Sequence, residues 1–226
     1  MPVTRDELLD TAPIPNNGGE LRLFRQGNHF AIKIAGGGEL MNTRLHGSED
    51  KLAEFACAKI ASRPRPRVLI GGLGMGFTLA AALRQLGANA EVVVAELVPA
   101  VVTWNRGLLG AHAGNPLQDA RALVRECDVA LVLKTAAEAF DAILLDVDNG
   151  PEGLTHKAND WLYSLAGLTA AFSALRAGGV LAVWSAGPDA RFTERLRQSG
   201  FHAEELKVRA HGNKGARHII WLAEKY

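Results

Sequence analysis

A glycine-rich turn lies directly between a short apolar run and a helix-forming segment, and it constrains the fold of this chain more than any other feature. Residues Val68–Ile70 lead into Gly71–Gly76, which reads GGLGMG, and helix-forming residues follow from Leu79 to Leu86. Glycine lets a backbone turn tightly and approach a ligand with no Cβ in the way. Strand, glycine turn and helix in this order predict a nucleotide site in an α/β fold, and a tight turn without a ligand is the alternative.

The apolar runs that follow the glycine turn alternate with helical segments. Continuous apolar runs are typical of strands buried on both faces, and their alternation with helices predicts a parallel sheet covered on both sides. The predicted strands are 92–95, 121–125, 142–145 and 180–184, and the predicted helices between them are 98–105 and 158–175.

The last part of the chain breaks this alternation. After a predicted helix at Ala190–Gln198, two strand-like stretches at 203–209 and 217–223 are separated only by a polar, glycine-containing loop. Antiparallel strands can be joined without a helix between them, whereas parallel strands need a crossover. We therefore predict an α/β fold with a doubly wound, mostly parallel seven-stranded sheet that closes with an antiparallel hairpin, which is the layout of the class I methyltransferase-like Rossmann fold.

The N-terminal part of the sequence has a different pattern. Residues 1–17 predict an extended arm, because Pro13 and Pro15 oppose a helix. Three short strands at 20–25, 29–35 and 39–44 predict a small β-meander, and an amphipathic helix with Ser48 as its N-cap follows. The Arg-Pro-Arg-Pro sequence at 63–66 ends that helix. We expect an N-terminal arm, meander and helix at 1–62 and the ligand-binding domain at 63–226.

Composition limits the classes of partner. The chain has 226 residues, of which 48% are hydrophobic, so it can bury a sizeable core. Its net charge of +1 predicts no nucleic-acid partner. No apolar run reaches the roughly 18 residues of a membrane span, and residues 1–10 lack the apolar run of a signal peptide, so we expect a cytoplasmic protein. The seven histidines have no metal-site spacing, which predicts no metal.

Two acidic residues at strand ends extend the predicted nucleotide site. Glu96 ends the second strand, where an acid can accept hydrogen bonds from ribose hydroxyls, and Asp128 follows the third strand, where it could meet the adenine amino group. A surface acid and a helix N-cap are the respective alternatives. Phe77 stands where a dinucleotide fingerprint needs glycine, and no phosphate-cradling P-loop occurs, so a donor without phosphate, S-adenosylmethionine, fits best. The predicted cofactor residues are Gly71, Gly72, Gly74, Gly76, Glu96 and Asp128.

Several segments resemble the spermidine synthase family. Residues 94–102, VAELVPAVV, are similar to its ribose-binding segment V-E-[IL]-D-P-x-V-V, and 140–146, FDAILLD, to the strand that delivers its catalytic aspartate. Residues 67–72 are similar to its glycine opening, 119–121 and 126–130 to the stretch that bears its adenine-side aspartate, and 175–180 to L-x-P-G-G-V. The resemblance implies Asp146 as the catalytic residue and a homodimer formed through the N-terminal strands. Asp148 and Asn149 share the loop of Asp146 and could contact the acceptor, and a solvated turn residue is the alternative for Asp148.

The departures from the family pattern concern the acceptor. Gly74 stands where the family's loop GGGDGG has an aspartate, and Asn149 stands where its second loop aspartate lies. The family's Tyr–His pair is absent, and residues 52–54 occupy that region. Fewer carboxylates predict weaker binding of a diamine. We therefore expect methyl transfer from S-adenosylmethionine to a small-molecule acceptor such as an amine. The alternatives are aminopropyl transfer from decarboxylated S-adenosylmethionine to a polyamine, and a non-catalytic nucleotide-binding protein.

The role predicted for Asp146 also follows from its position. It ends a parallel strand, on the ligand side of such sheets, where a carboxylate could accept a proton from an attacking amine or orient it. Capping the following loop is the alternative. Because methyl transfer depends largely on holding the nucleophile and the sulfonium in line, a dedicated base is not strictly needed.

Overall fold

The computed structural model describes residues 6–16, 18–147, 160–211 and 214–226. The N-terminal strands form a four-stranded antiparallel sheet in the order β1-β2-β3-β4. The strands are β1 (Glu7–Pro13), β2 (Glu20–Gln26), β3 (His29–Ile34) and β4 (Glu39–Asn42).

Strand β1 was not predicted from the sequence, which indicated only an extended arm. It pairs with β2 from Glu7 opposite Arg25 to Pro13 opposite Glu20. Only Ala12 of this strand is buried, and Leu8 is 50% exposed. An edge strand with so little burial lacks the alternation of apolar and polar residues by which a strand is recognised in a sequence.

The predicted seven-stranded sheet is confirmed, in the order β10-β11-β9-β8-β5-β6-β7. The five strands β5 to β9 run parallel to one another. Strand β11 runs antiparallel to both of its neighbours, β9 and β10. The strands are β5 (Arg67–Gly71), β6 (Glu91–Glu96), β7 (Ala122–Glu126), β8 (Phe140–Leu145), β9 (Leu175–Ser185), β10 (His202–His211) and β11 (Lys214–Glu224).

Helices flank the large sheet. The helix predicted at 158–175 is interrupted within its described part, because the Ser164 hydroxyl accepts a hydrogen bond from the Gly167 N–H and begins a new helix there. None of the described helices is long and apolar enough to span a membrane. The helices are α1 (Gly47–Lys59), α2 (Phe77–Gln85), α3 (Pro99–Arg106), α4 (Val129–Thr135), α5 (Asp160–Tyr163), α6 (Leu165–Ala174) and α7 (Ala190–Gln198).

The start of α1 differs from the prediction. His46, not Ser48, is its N-cap, and no side chain caps the helix there. Ser48 lies inside the first turn, only 1% exposed, and its hydroxyl donates to Glu49 Oε2 at 2.7 Å. The prediction of Ser48 as the cap was wrong because the helix begins at Gly47, and the Ser48 hydroxyl bonds to the Glu49 side chain instead of accepting from a backbone N–H.

Strand β5 lies where the direction of the sheet's winding reverses. The chain moves from β5 to β6 and β7 on one side, and then to β8 and β9 on the other. In open α/β sheets a crevice forms at such a switch point, beyond the carboxyl ends of the strands. The glycine turn after β5 and Asp146 after β8 therefore meet at this crevice.

Candidate functional site

A cavity of about 400 Å³ lies at the carboxyl ends of β5, β6 and β8. The N-terminal sheet covers one side of it. The cavity brings together five of the residues predicted from the sequence, namely Gly72, Gly74, Glu96, Asp128 and Asp146. Gly71 and Gly76 shape the turn and do not line the cavity. Asp148 and Asn149 lie outside the described residues.

The glycine turn follows a path that requires glycine. Gly72, Gly74 and Gly76 have φ values of +89°, +53° and +84°, a region that residues with a side chain rarely adopt. A Cβ at Gly72 would collide with the backbone carbonyl oxygen of Asp146, and one at Gly76 would lie 2.9 Å from Asn105 Oδ1. The turn therefore packs tightly against the end of β8, which explains its composition without a ligand.

Glu96 fastens the same turn from the other side. It is 7% exposed, so it is not a surface acid. Its Oε2 accepts from the Leu73 N–H at 2.8 Å, and its Oε1 accepts from the Val98 N–H at 2.8 Å. Burial raises the pKa of this carboxyl, and the surrounding backbone N–H groups oppose that shift. Glu96 thus orders the turn and also lines the cavity, where its oxygens can accept from a ligand.

Asp128 serves as the N-cap of α4. Its Oδ1 accepts from the Ala130 N–H at 2.8 Å. Residue 128 is partly buried and lines the cavity as well. Because a carboxylate has acceptor sites to spare after one hydrogen bond, capping does not prevent contact with a ligand. The short helix α4 itself was not predicted from the sequence.

Asp146 stands directly after β8, and its backbone N–H donates to the Gly71 carbonyl at 2.9 Å. Its Oδ2 accepts from the Thr78 hydroxyl at 2.5 Å. Burial raises the pKa of Asp146 to about 6, and the hydrogen bond from Thr78 opposes that rise. A carboxyl with a pKa in this range is suited to gaining and losing a proton near neutral pH.

Glu49 lines the same cavity and was missed in the sequence. Burial, followed by the charge of Asp146, raises its pKa to about 7, while the hydrogen bond from Ser48 lowers it. An acid in the first turn of a helix ordinarily complements the helix dipole, so nothing in the local sequence marks it as a site residue. Only the packing of α1 against the end of β8 reveals that the two carboxyls face one cavity.

The N-terminal sheet supplies an apolar wall. Its residue nearest to the glycine turn is Met41, whose Sδ lies 3.1 Å from the position that a Cβ at Gly74 would occupy. A thioether therefore occupies the space into which a longer side chain at Gly74 would extend. The apolar residues that line the cavity from the N-terminal part of the chain are Ile14, Leu21, Ile32, Ile34, Leu40, Met41 and Leu45.

Several solved structures have an architecture similar to that of this chain. No family model and no curated protein sequence matches the chain. A spermidine synthase from Thermotoga maritima matches 97% of this chain and 73% of its own with a TM-score of 0.77 at 17% identity. A spermidine synthase in complex with the transition-state analogue AdoDATO matches 97% and 72% with a TM-score of 0.76, also at 17% identity.

A methyltransferase shares the core of the same architecture. The precorrin-6y C5,15-methyltransferase from Geobacter metallireducens matches 78% of this chain and 88% of its own, with a TM-score of 0.56 at 16% identity. The chain therefore has a class I methyltransferase fold. Because the chain also has the four-stranded N-terminal sheet, its fold as a whole is the spermidine synthase-like form of that fold, as predicted from the sequence.

Proposed function

We propose that this chain is an S-adenosylmethionine-dependent transferase that moves a methyl group to a small-molecule amine. The observation that carries the proposal is the charge of the cavity. Five acidic side chains are among the described residues that line it, and neither lysine nor arginine is among them. Such a lining favours a cationic ligand over a phosphate. The acidic residues are Glu39, Glu49, Glu96, Asp128 and Asp146.

The residues at the glycine turn fit the adenosyl part of the donor. The cavity's volume of about 400 Å³ is within the range of small-molecule sites. Gly72 permits close approach of a ligand to the backbone, Glu96 offers carboxylate oxygens to the ribose hydroxyls, and Asp128 is available to the adenine amino group. When bound, the sulfonium supplies a carbon that a neutral amine nitrogen can attack, so that a C–N bond forms and the C–S bond breaks with its electron pair left on sulfur.

The acceptor end of the cavity supports an amine. Asp146 and Glu49 are carboxyls on two different elements that face the same space. Burial and, next to it, repulsion from Asp146 raise the pKa of Glu49, and an ammonium group placed between the two carboxyls would compensate that repulsion. Charge-assisted hydrogen bonds to both carboxylates would also fix the nitrogen in one orientation, which is the main requirement of a transfer in line.

Met41 and Gly74 favour methyl over aminopropyl transfer. A decarboxylated donor carries an ammonium group with no carboxylate beside it, and a nearby acid would stabilise that group. At the turn, however, a glycine faces the Met41 thioether. Aminopropyl transfer is the second candidate, because the likeness to two spermidine synthases extends over 97% of this chain.

Calorimetric titration with S-adenosylmethionine, its decarboxylated form and methylthioadenosine tests the proposal. We expect the tightest binding for S-adenosylmethionine, and at least about tenfold weaker binding for Glu96→Gln, because a buried hydrogen bond to a charged group contributes about 1.5–3 kcal/mol. Glu205→Gln, an exposed acid on β10, is the matched control. Preference for the decarboxylated donor would support aminopropyl transfer, and no binding of any of the three ligands would overturn both candidates.

Turnover is tested separately. The protein is incubated with S-adenosylmethionine and a panel of primary and secondary amines, and products are identified by mass spectrometry. We expect a methylated amine and S-adenosylhomocysteine in equal amounts. Tight donor binding without any methylated product across amine, hydroxyl and thiol acceptors would favour the non-catalytic alternative.

A further inference from the structure

We propose that Glu49 is the proton acceptor for the incoming amine, with Ser48 and His218 holding it in position and Asp146 orienting the ammonium group. This inference rests on the proposed function. It assigns to α1 and β11, two elements outside the nucleotide-binding strands, a direct part in the acceptor site.

A chain of hydrogen bonds reaches Glu49 from the far end of the sheet. The Ser48 hydroxyl donates to Glu49 Oε2 at 2.7 Å, and Ser48 Oγ lies 3.0 Å from His218 Nδ1. Ser48 is 1% exposed, so its hydroxyl has no access to bulk water. All three residues line the cavity that also holds Asp146. The Glu49 carboxyl is thus anchored through one oxygen on the side of Ser48.

While Glu49 is ionised, the direction of these bonds sets the tautomer of the imidazole. A hydroxyl has one proton, and Ser48 gives it to Glu49. Ser48 therefore accepts from His218, whose proton must lie on Nδ1. Burial lowers the pKa of His218, which favours the neutral ring, and while Glu49 is ionised the proton of that ring lies on Nδ1. The ring also packs edge-to-face on Trp184 at 4.7 Å between centroids, which restricts its rotation.

Other charged groups near Glu49 are compensated or more remote. On α1, Asp50 raises the pKa of Glu49 slightly, and it is itself held by Arg84 and by His46, each at 2.8 Å. On β4, Glu39 lines the cavity and accepts from the Asn42 amide at 2.7 Å. The carboxyl that faces Glu49 without a cation beside it is Asp146, whose described hydrogen-bond partner is Thr78.

The proton step needs no further reactant. An ammonium group, R–NH3+, donates hydrogen bonds to Asp146 and to Glu49. One N–H proton moves to the Glu49 carboxylate, which becomes a neutral carboxyl, and the N–H electron pair stays on nitrogen as the lone pair of R–NH2. Throughout this step Oε2 of Glu49 can continue to accept from Ser48. The proton leaves to water after the product departs, which restores the carboxylate.

Carbon NMR of protein labelled at the glutamate carboxyl carbon tests the pair without any turnover. In the unmodified protein we expect the signal of one glutamate to titrate with a midpoint near pH 7. This signal should be absent from Glu49→Gln, and its midpoint should lie at lower pH in Asp146→Asn. Butylammonium should lower that midpoint by about one pH unit or more, since a bound cation favours the charged carboxylate. Butanol, of matched size and without charge, should leave it unchanged. If butylammonium does not change the midpoint of this glutamate, the proposal is wrong.

Nitrogen NMR of the histidine rings tests the positioning role. At about pH 8 or above, where Glu49 is ionised, we expect His218 as the Nδ1–H tautomer in the unmodified protein, and a loss of that preference in Ser48→Ala. Removing the bond that lowers the pKa of Glu49 should also shift the acid limb of the pH–rate profile to higher pH in Ser48→Ala. An Nε2–H tautomer in the unmodified protein, or an unshifted profile in the variant, would contradict the positioning role.

Kinetics complete the test. We expect Glu49→Gln to lower kcat by about 100-fold or more, with donor affinity by calorimetry unchanged. Glu54→Gln, on the same helix and paired with Lys51, is the control and should retain full activity. Normal donor binding with an unchanged kcat in Glu49→Gln would overturn the role of Glu49 alone. If the unmodified protein does not bind the donor, the proposed function itself is wrong.

Discussion

Thr78 Oγ1 donates a 2.5 Å hydrogen bond to Asp146 Oδ2 and so joins the first turn of α2 to the end of β8. The threonine is 2% exposed, and no bulk water competes for the bond. The glycine turn, which leads into α2, and the carboxylate after β8 are thereby held as one unit on both sides of the switch point. In the proposed reaction, the orientation of Asp146 would thus be set before the acceptor binds, which helps to hold the reacting atoms in line.

Replacing Thr78 by valine should change the protonation of Asp146. The side chains have nearly the same shape, but valine leaves the carboxylate without its donor, so the pKa of Asp146 should rise above 6. We expect the acid limb of the pH–rate profile to move to higher pH and the unfolding free energy to fall by about 1 kcal/mol. Thr169→Val, at an exposed threonine whose hydroxyl bonds to the Leu165 carbonyl, is the control. An unchanged profile would show that the bond does not govern Asp146.

The contact between the turn and β8 predicts a second effect. In Gly72→Ala the new methyl group would meet the Asp146 carbonyl oxygen in a backbone conformation with φ of +89°. We expect unfolding to become easier by about 2 kcal/mol or more, as measured by urea denaturation, together with loss of donor binding. Gly87→Ala meets nothing within 4 Å and should change stability by less than about 1 kcal/mol. Equal effects of the two substitutions would contradict the packing described for the turn.

The carboxyl pair predicts how stability depends on pH. Folding raises the pKa of Glu49 to about 7 and that of Asp146 to about 6, so between about pH 4 and pH 7 the folded state binds more protons than the unfolded state. The pair therefore makes the unfolding free energy decrease as pH rises through that window.

Glu49→Gln removes one of these groups and relieves the repulsion of the other. The unfolding free energy should decrease from pH 5 to pH 8 in both proteins, and we expect this decrease to be smaller in the variant by on the order of 2 kcal/mol. Urea denaturation of both proteins at pH 5 and at pH 8 measures it. Groups with the opposite behaviour, such as Asp119, whose pKa is lowered to about 2 by Arg121, act equally in both proteins. Parallel pH dependence in the two proteins would show that Glu49 is not perturbed by folding.

Local patterns in the sequence were sufficient to predict the parallel sheet, its hairpin and the meeting of the glycine turn with Glu96 at the cavity. The glycine turn and Glu96 lie at the ends of adjacent parallel strands, and an acid at that position can be recognised by its spacing alone. The end of the cavity that we propose for the acceptor could not be recognised in this way. Glu49 and His218 come from distant segments, and only the packing of α1 and β11 brings them to Asp146. Strand β1 was not predicted either, because an exposed edge strand has no apolar periodicity in its sequence.

The space between Gly74 and Met41 gives the most direct test of donor selection. Aspartate tolerates positive φ better than most residues, yet its Cβ in Gly74→Asp would lie 3.1 Å from the Met41 Sδ. We expect a loss of about 1–3 kcal/mol of stability from this substitution, and a smaller loss when it is introduced into Met41→Ala, since the two residues share one space.

The same double variant should change which donor is bound. Once Met41 no longer occupies the space, the new carboxylate can approach an ammonium group, and its hydrogen bond would contribute about 1.5–3 kcal/mol. Because the decarboxylated donor has no carboxylate to repel that acid, we expect its affinity relative to S-adenosylmethionine to rise by about tenfold or more. Calorimetry with both donors on the two single variants and the double variant measures the ratio. If the ratio stays the same in all of them, residue 74 does not face the amine end of the donor, and the preference for methyl transfer loses its structural basis.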